Sequence, residues 1–142
     1  MIMVPNIMTP VLALIVWTFA IWCWMYATRI SVIRSARLDV ARLKRKSDLD
    51  ALPDEVQQIA DNYNHLHEQP TIFYVLALYS HLVGVADGLN VALAWLYVAL
   101  RVAHSIVQCT SNVVIVRFGI FAASTLVLML ITARNIIAWL VS

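Results

Sequence analysis

Apolar residues run in long blocks along this chain, interrupted by one extended polar stretch and two short ones. The first block covers Pro10 to Ala27 without a charge and ends in Trp22, Trp24 and Tyr26 just before Arg29. Aromatic side chains in that position form the belt found at membrane–water interfaces. A second block runs from Pro70 through Val85, a third from Leu89 to Val107 and a fourth from Val113 to about Ile131. A hydrocarbon core about 30 Å thick takes about 20 mostly apolar residues per helix. The pattern therefore predicts an all-α membrane protein, a four-transmembrane-helix bundle with spans over about 10–27, 70–85, 89–107 and 113–131. Only Ala86, Asp87 and Gly88 separate the second block from the third, and Gln108 to Asn112 separate the third from the fourth. Connections so short make antiparallel hairpins.

The polar stretch over 28–69 has structure of its own. Pro53, Asp54 and Glu55 read as a helix start, because proline suits the first helical position and acids suit the positive end of the helix dipole. Val56, Ile59, Tyr63 and Leu66 then recur at helical spacing, which predicts an amphipathic helix leading into the second span. Pro70 falls inside that continuous helix and should kink it. The chain reads as a single domain over 1–142.

Composition agrees with a lipid environment: 62% of the 142 residues are hydrophobic and 13% charged, against about 25% charged in soluble domains. A chain this short makes only a small bundle, so self-association is expected. The net charge is +2, with Arg29, Arg34, Arg37, Arg42, Lys44, Arg45 and Lys46 concentrated after the first block. Lys and Arg are retained on the cytoplasmic side. That rule places 28–68 and the Gln108–Asn112 turn inside and both termini outside, as in a bacterial inner membrane protein. Arg134, at the opposite end, is expected to snorkel to headgroups beside Trp139. Asp39, Asp48 and Asp50 interleave the basic segment, and it is joined to membrane spans, which argues against a nucleic-acid partner. Cys23 and Cys109 lack CxxC or CxxH spacing and read as inert small residues. The first block has no basic leader and no small-x-small cleavage site, and is expected to remain as an anchor.

Two polar groups carry the candidate chemistry. Arg101 sits about two-thirds along an apolar span, where a charge costs about 2.5 kcal/mol or more and so faces the bundle interior. His104 and Gln108 share its helix face. One reading makes this stripe a ligand site; the other has Arg101 pairing with a carboxylate such as Glu68 to lock the bundle. The second group is Asn62, Asn64, His65, His67 and Glu68, with Asn64 and Glu68 on one face and His67 adjoining. His65 and His67 are two apart and point to different sides of a helix, and His81 and His104 stand alone, so no metal site is predicted. No glycine-rich phosphate loop or GxSxG elbow occurs; Gly84, Gly88 and Gly119 are assigned to turns and close helix packing.

Four short spans, a basic first loop, the element Asn64-His65-Leu66-His67-Glu68-Gln69-Pro70 opening the second span and Arg101-Val102-Ala103-His104 on the third resemble the membrane-associated proteins in eicosanoid and glutathione metabolism, the MAPEG superfamily. His104-Ser105, Asn112 and Arg117-Phe118 look like its bacterial branch. The resemblance covers roughly 10–140. It implies a homotrimer of four-helix protomers with glutathione, as co-substrate, held between adjacent subunits at the cytoplasmic side. Asn64 and Glu68 would hold the tripeptide's polar ends, and Arg101 would be a structural or ligand-binding arginine. Arg117 would be the cation that favours the glutathione thiolate, which is the nucleophilic form. Glutathione-binding relatives have tyrosines where this chain has His104 and Gln108. The glutamate spacing differs by one residue, which brings His67 to the family's Glu position.

The resemblance thus implies a glutathione-dependent transferase or peroxidase acting on lipophilic electrophiles that arrive from the bilayer. Arg117 and His104 would be catalytic, His104 as proton donor or acceptor near neutral pH. Asn64, His67, Glu68, Arg101 and Gln108 would bind the ligand. The alternative is a non-catalytic trimeric membrane scaffold or accessory subunit, in which the same polar residues hold subunits together. Transport is disfavoured, since no inverted repeat or matched broken helices are visible.

Overall fold

A computed structural model describes residues 6–35 and 52–141. Much of the basic segment, from Arg37 to Lys46 with Asp39, Asp48 and Asp50, lies outside the described residues. Among the described residues five helices follow in order: α1 (Met8–Ser35), α2 (Asp54–His65), α3 (Gln69–Leu82), α4 (Gly88–Cys109) and α5 (Val114–Val141). No strand occurs among the described residues. Three of the helices, α1, α4 and α5, are long and apolar enough to cross a membrane. The fourth apolar helix, α3, has 14 residues, about 21 Å at 1.5 Å per residue.

Local chemistry explains where the helices stop. Proline lacks an N–H, and its ring clashes with the carbonyl four residues earlier. With Pro70 in the first turn of α3, the helix cannot continue backwards; Leu66 caps α2, and Glu68 takes φ −89° and ψ −98° as the residue before α3. The expected kink within one continuous helix is therefore a break between two. Asp87 caps α4 by accepting the Asn90 backbone N–H at 2.8 Å. Gly84, at φ +73°, makes the turn between α3 and α4, a conformation in which a Cβ is strained.

α5 continues to Val141, beyond the predicted end near Ile131. Arg134 does not interrupt it because its charge is met inside the protein: it lies 2.5 Å from Asp87 and donates to Asn90 Oδ1 at 2.7 Å. This latch ties α5 to the start of α4 at the partly exposed end where Arg134 was expected to snorkel to headgroups. One turn away, Ser80 donates to Asn135 Oδ1 at 3.0 Å with both residues buried, tying α3 to α5.

The core runs between α1, α3 and α4 through Ile21, Phe73, Ala77, Ala94 and Tyr97, with Leu128 from α5. The amphipathic face of α2 is buried as the spacing predicts, at Val56, Ile59 and Leu66, and packs against α1 and α4. The Gln58 amide donates to the Cys109 and Thr110 carbonyls at 3.1 and 3.4 Å, meeting acceptors that the end of α4 leaves open. The outer faces expose Leu12, Phe19, Val75, Leu126 and Trp139, as suits a lipid boundary. A Cβ built at Gly88 or Gly119 meets nothing within 4 Å, so the close packing expected of these glycines is not seen within this chain.

Candidate functional site

The polar stripe of α4 points into the bundle where α3 and α5 meet it. Arg101 is 1% exposed. Its Nε donates to the Tyr97 hydroxyl oxygen at 3.1 Å and its Nη2 to Gln69 Oε1. Its guanidinium also lies over the Tyr97 and Phe121 rings, 5.4 and 4.9 Å from their centroids. Gln69 owes this position to the break before α3, which turns the first residue of that helix inward. Its amide nitrogen meanwhile donates to Thr125 on α5 at 2.8 Å. One glutamine thus joins three helices around one buried cation. The partner expected for Arg101, Glu68, is instead on the exposed turn and bonded to His65 at 2.7 Å.

Beyond Phe121 lies a cavity of about 240 Å³ lined by His65, His104, Val114, Arg117, Phe118 and Phe121. The imidazoles of His65 (α2) and His104 (α4) face each other with centroids 5.0 Å apart and planes inclined by 36°. His65 also packs 5.4 Å from the Phe121 ring. Arg117, on the first turn of α5, donates through Nη1 to Asn112 Oδ1 at 2.5 Å, while its buried Nε has no hydrogen-bond partner among the described residues. Asn112 is held for this role at φ 50°, a left-handed conformation that asparagine tolerates.

Of the seven residues singled out from the sequence, two, His104 and Arg117, line the cavity. Glu68 reaches it through His65, and Arg101 touches the far side of its Phe121 wall. Asn64 and His67 are exposed and do not line it; His67 turns back onto the Tyr63 carbonyl at 2.8 Å and packs against the Tyr63 ring at a steep tilt of 59°. Gln108 is buried with Oε1 unpartnered among the described residues. The other cavity residues are His65, which belonged to the second polar group but was given no role, and Val114, Phe118 and Phe121. The i, i+3 relation of His65 to Glu68 was the available signal for the first; the two phenylalanines look like any others in an apolar span. Among the described residues, no cluster of His, Cys, Asp or Glu could hold a metal ion.

Apolar helices of membrane-crossing length, with a hydrogen-bonded arginine buried between them and a cavity holding Arg117 and two histidines at one end, define an integral membrane protein. The MAPEG family model matches residues 7–137, nearly the whole chain, and the protein belongs to that family. Nothing matches among curated proteins or solved structures.

Proposed function

We propose that the protein is a glutathione-dependent transferase or peroxidase that acts on lipophilic electrophiles drawn from the bilayer. The observation that carries this reading is Arg117: a part-buried cation with an unpartnered Nε, at a cavity that also holds two imidazoles and two phenyl rings. A buried donor without a partner costs about 1–3 kcal/mol, which an arriving anion removes. The thiolate of glutathione is such an anion, and a fixed cation beside it raises the thiolate fraction. The cavity's 240 Å³ falls under the 300–1,000 Å³ usual for a drug-sized ligand, so it suits the thiol end of the tripeptide. In this reading the polar ends reach out to Asn64, His67 and Glu68, and an imidazole of the cavity, His104 in the assignment from sequence, exchanges the proton.

The family relationship supports further parts of the proposal. Protomers assemble as homotrimers with glutathione between subunits, and α3 is a short fourth span accommodated by local thinning of the bilayer; the excess of Lys and Arg after the first apolar block, rather than the family, places the basic loop in the cytoplasm of a bacterial inner membrane. A second reading, the non-catalytic trimeric scaffold, is favoured by one observation: Arg101 is used to hold α3, α4 and α5 together within its own protomer, a structural task that leaves it no ligand to bind. Calorimetry of glutathione binding to the detergent-purified protein separates the two. Saturable binding that Arg117→Ala abolishes, with thiolate absorbance at neutral pH, is the expected result. No binding at millimolar glutathione overturns the enzyme reading and leaves the scaffold.

A further inference from the structure

A thiol bound at Arg117 must lose its proton to some group, and two imidazoles stand ready. They differ in what fixes them. His65 Nδ1 lies 2.7 Å from Glu68 Oε2; a carboxylate only accepts, so Nδ1 carries the hydrogen and Nε2 keeps its lone pair. The same carboxylate stabilises the imidazolium once Nε2 is protonated. The His104 and Phe121 rings, 5.0 and 5.4 Å away, hold the plane of the His65 ring. With its side chain 24% exposed, His65 can pass a proton to water. His104 is 3% exposed, bonds to no carboxylate among the described residues, and has Arg101 and Arg117 as its charged neighbours. A base oriented by a third group is the arrangement that activates a nucleophile.

We propose that His65, positioned by Glu68, is the proton acceptor for the bound thiol, and that His104 is the wall against which it stacks. The proposal rests on the thiol reading above. The S–H bond breaks, its proton moves to His65 Nε2, and the thiolate stays beside Arg117. With 1-chloro-2,4-dinitrobenzene as electrophile, the sulfur forms an S–C bond, chloride leaves with the C–Cl electron pair, and the imidazolium returns its proton to water. No oxidant or reductant is needed. Glu68 is a positioning residue. The charged and titratable groups around His65 are Asp61 on its own helix, Glu68 from the turn before α3, His104 and Arg101 from α4, and Arg117 from α5.

The test is the pH profile of kcat/KM with glutathione and 1-chloro-2,4-dinitrobenzene, on the full-length protein in nanodiscs, with glutathione affinity measured on the same samples. His65→Gln is expected to leave affinity unchanged, lower kcat/KM by about 10²-fold or more and abolish the acid limb. Glu68→Gln is expected to lower kcat at saturating glutathione, because the imidazole loses the acceptor that fixes its tautomer, and Glu68→Asp to restore part of the loss. His104→Gln keeps the limb. A limb that survives in His65→Gln, or that disappears in His104→Gln, overturns the proposal. Should His65→Gln aggregate, Glu68→Gln decides, since Glu68 is exposed: an unchanged kcat at saturating glutathione overturns the assignment. Wild-type protein that binds no glutathione overturns the thiol reading and this inference with it, a result read before any variant is made.

Discussion

Replacing Arg101 tests what holds α3, α4 and α5 together. Arg101→Ala removes the donors to Tyr97 and Gln69 and the cation over two rings, and leaves a void at a site 1% exposed. Hydrogen bonds from a charged donor contribute about 1.5–3 kcal/mol each, although bonds between membrane helices average about 0.6 kcal/mol. Cation–π contacts add about 0.5–2 kcal/mol. The variant should therefore lose about 2–5 kcal/mol, the lower end applying if the membrane average holds. Arg101→Met keeps most of the volume and removes a charge that costs about 2.5 kcal/mol or more at a helix centre, so it should lose clearly less than Arg101→Ala. The assay is equilibrium unfolding in mixed micelles at rising dodecyl sulfate fraction, followed by tryptophan fluorescence. Gln69→Ala should add little in an Arg101→Ala background, because both changes break one network. An Arg101→Ala variant within about 0.5 kcal/mol of wild type, the range of an ordinary surface change, refutes the structural role. Equal loss in the Met and Ala variants would instead mean that the guanidinium's contacts, and not the filled volume, carry the stability.

Two further predictions concern the opposite end of the bundle. Asp87→Ala should lower stability by about 1 kcal/mol through the lost α4 cap, and Asp87→Asn, which keeps a capping oxygen but loses the Arg134 ion pair, by less; thermal unfolding in detergent ranks the two. Asn135→Ala should cost more than Ser80→Ala. The first removes a buried amide with both its bonds, to Ser80 and to the Ile131 carbonyl, and leaves the larger void, while Ser80 keeps its bond to the Leu76 carbonyl; the second removes one hydroxyl and leaves Asn135 Oδ1 without its donor. The same unfolding assay reads the order, and a reversed order refutes the account.

Hydropathy made the helices legible because lipid allows so few answers: an apolar block of sufficient length becomes a helix whose backbone is satisfied internally. It was less informative wherever a polar residue finds its partner far along the chain. Arg134 reads as an end signal in the sequence, yet Asp87 and Asn90 sit across from it in the fold, and α5 runs on. Gln69 is invisible for a related reason: its importance depends on the break at Leu66–Glu68, which a continuous-helix reading of 53–85 does not contain. That reading put Asn64, His67 and Glu68 together on or near one face. With α2 ending at His65, His67 folds back on Tyr63 while His65 faces the cavity.

Arg101 on α4 and Arg117 on α5 show why a site is harder to read than a fold. From sequence, Arg101 is the more conspicuous, since it lies deep in an apolar span, and Arg117 sits only a few residues past a turn. In the structure depth and availability run opposite ways. Arg101 pays for its depth with partners on three sides, and a ligand could claim it only by displacing Gln69, Tyr97 or Phe121. Arg117 has one short bond to Asn112 and a buried Nε that nothing among the described residues meets. Burial alone predicts neither role; the unmet donor distinguishes them. If that argument holds, Arg117→Ala should abolish glutathione binding while shifting unfolding by less than Arg101→Ala, and Arg101→Met should keep binding. Loss of binding in Arg101→Met with a folded protein would reverse the assignment of the two arginines.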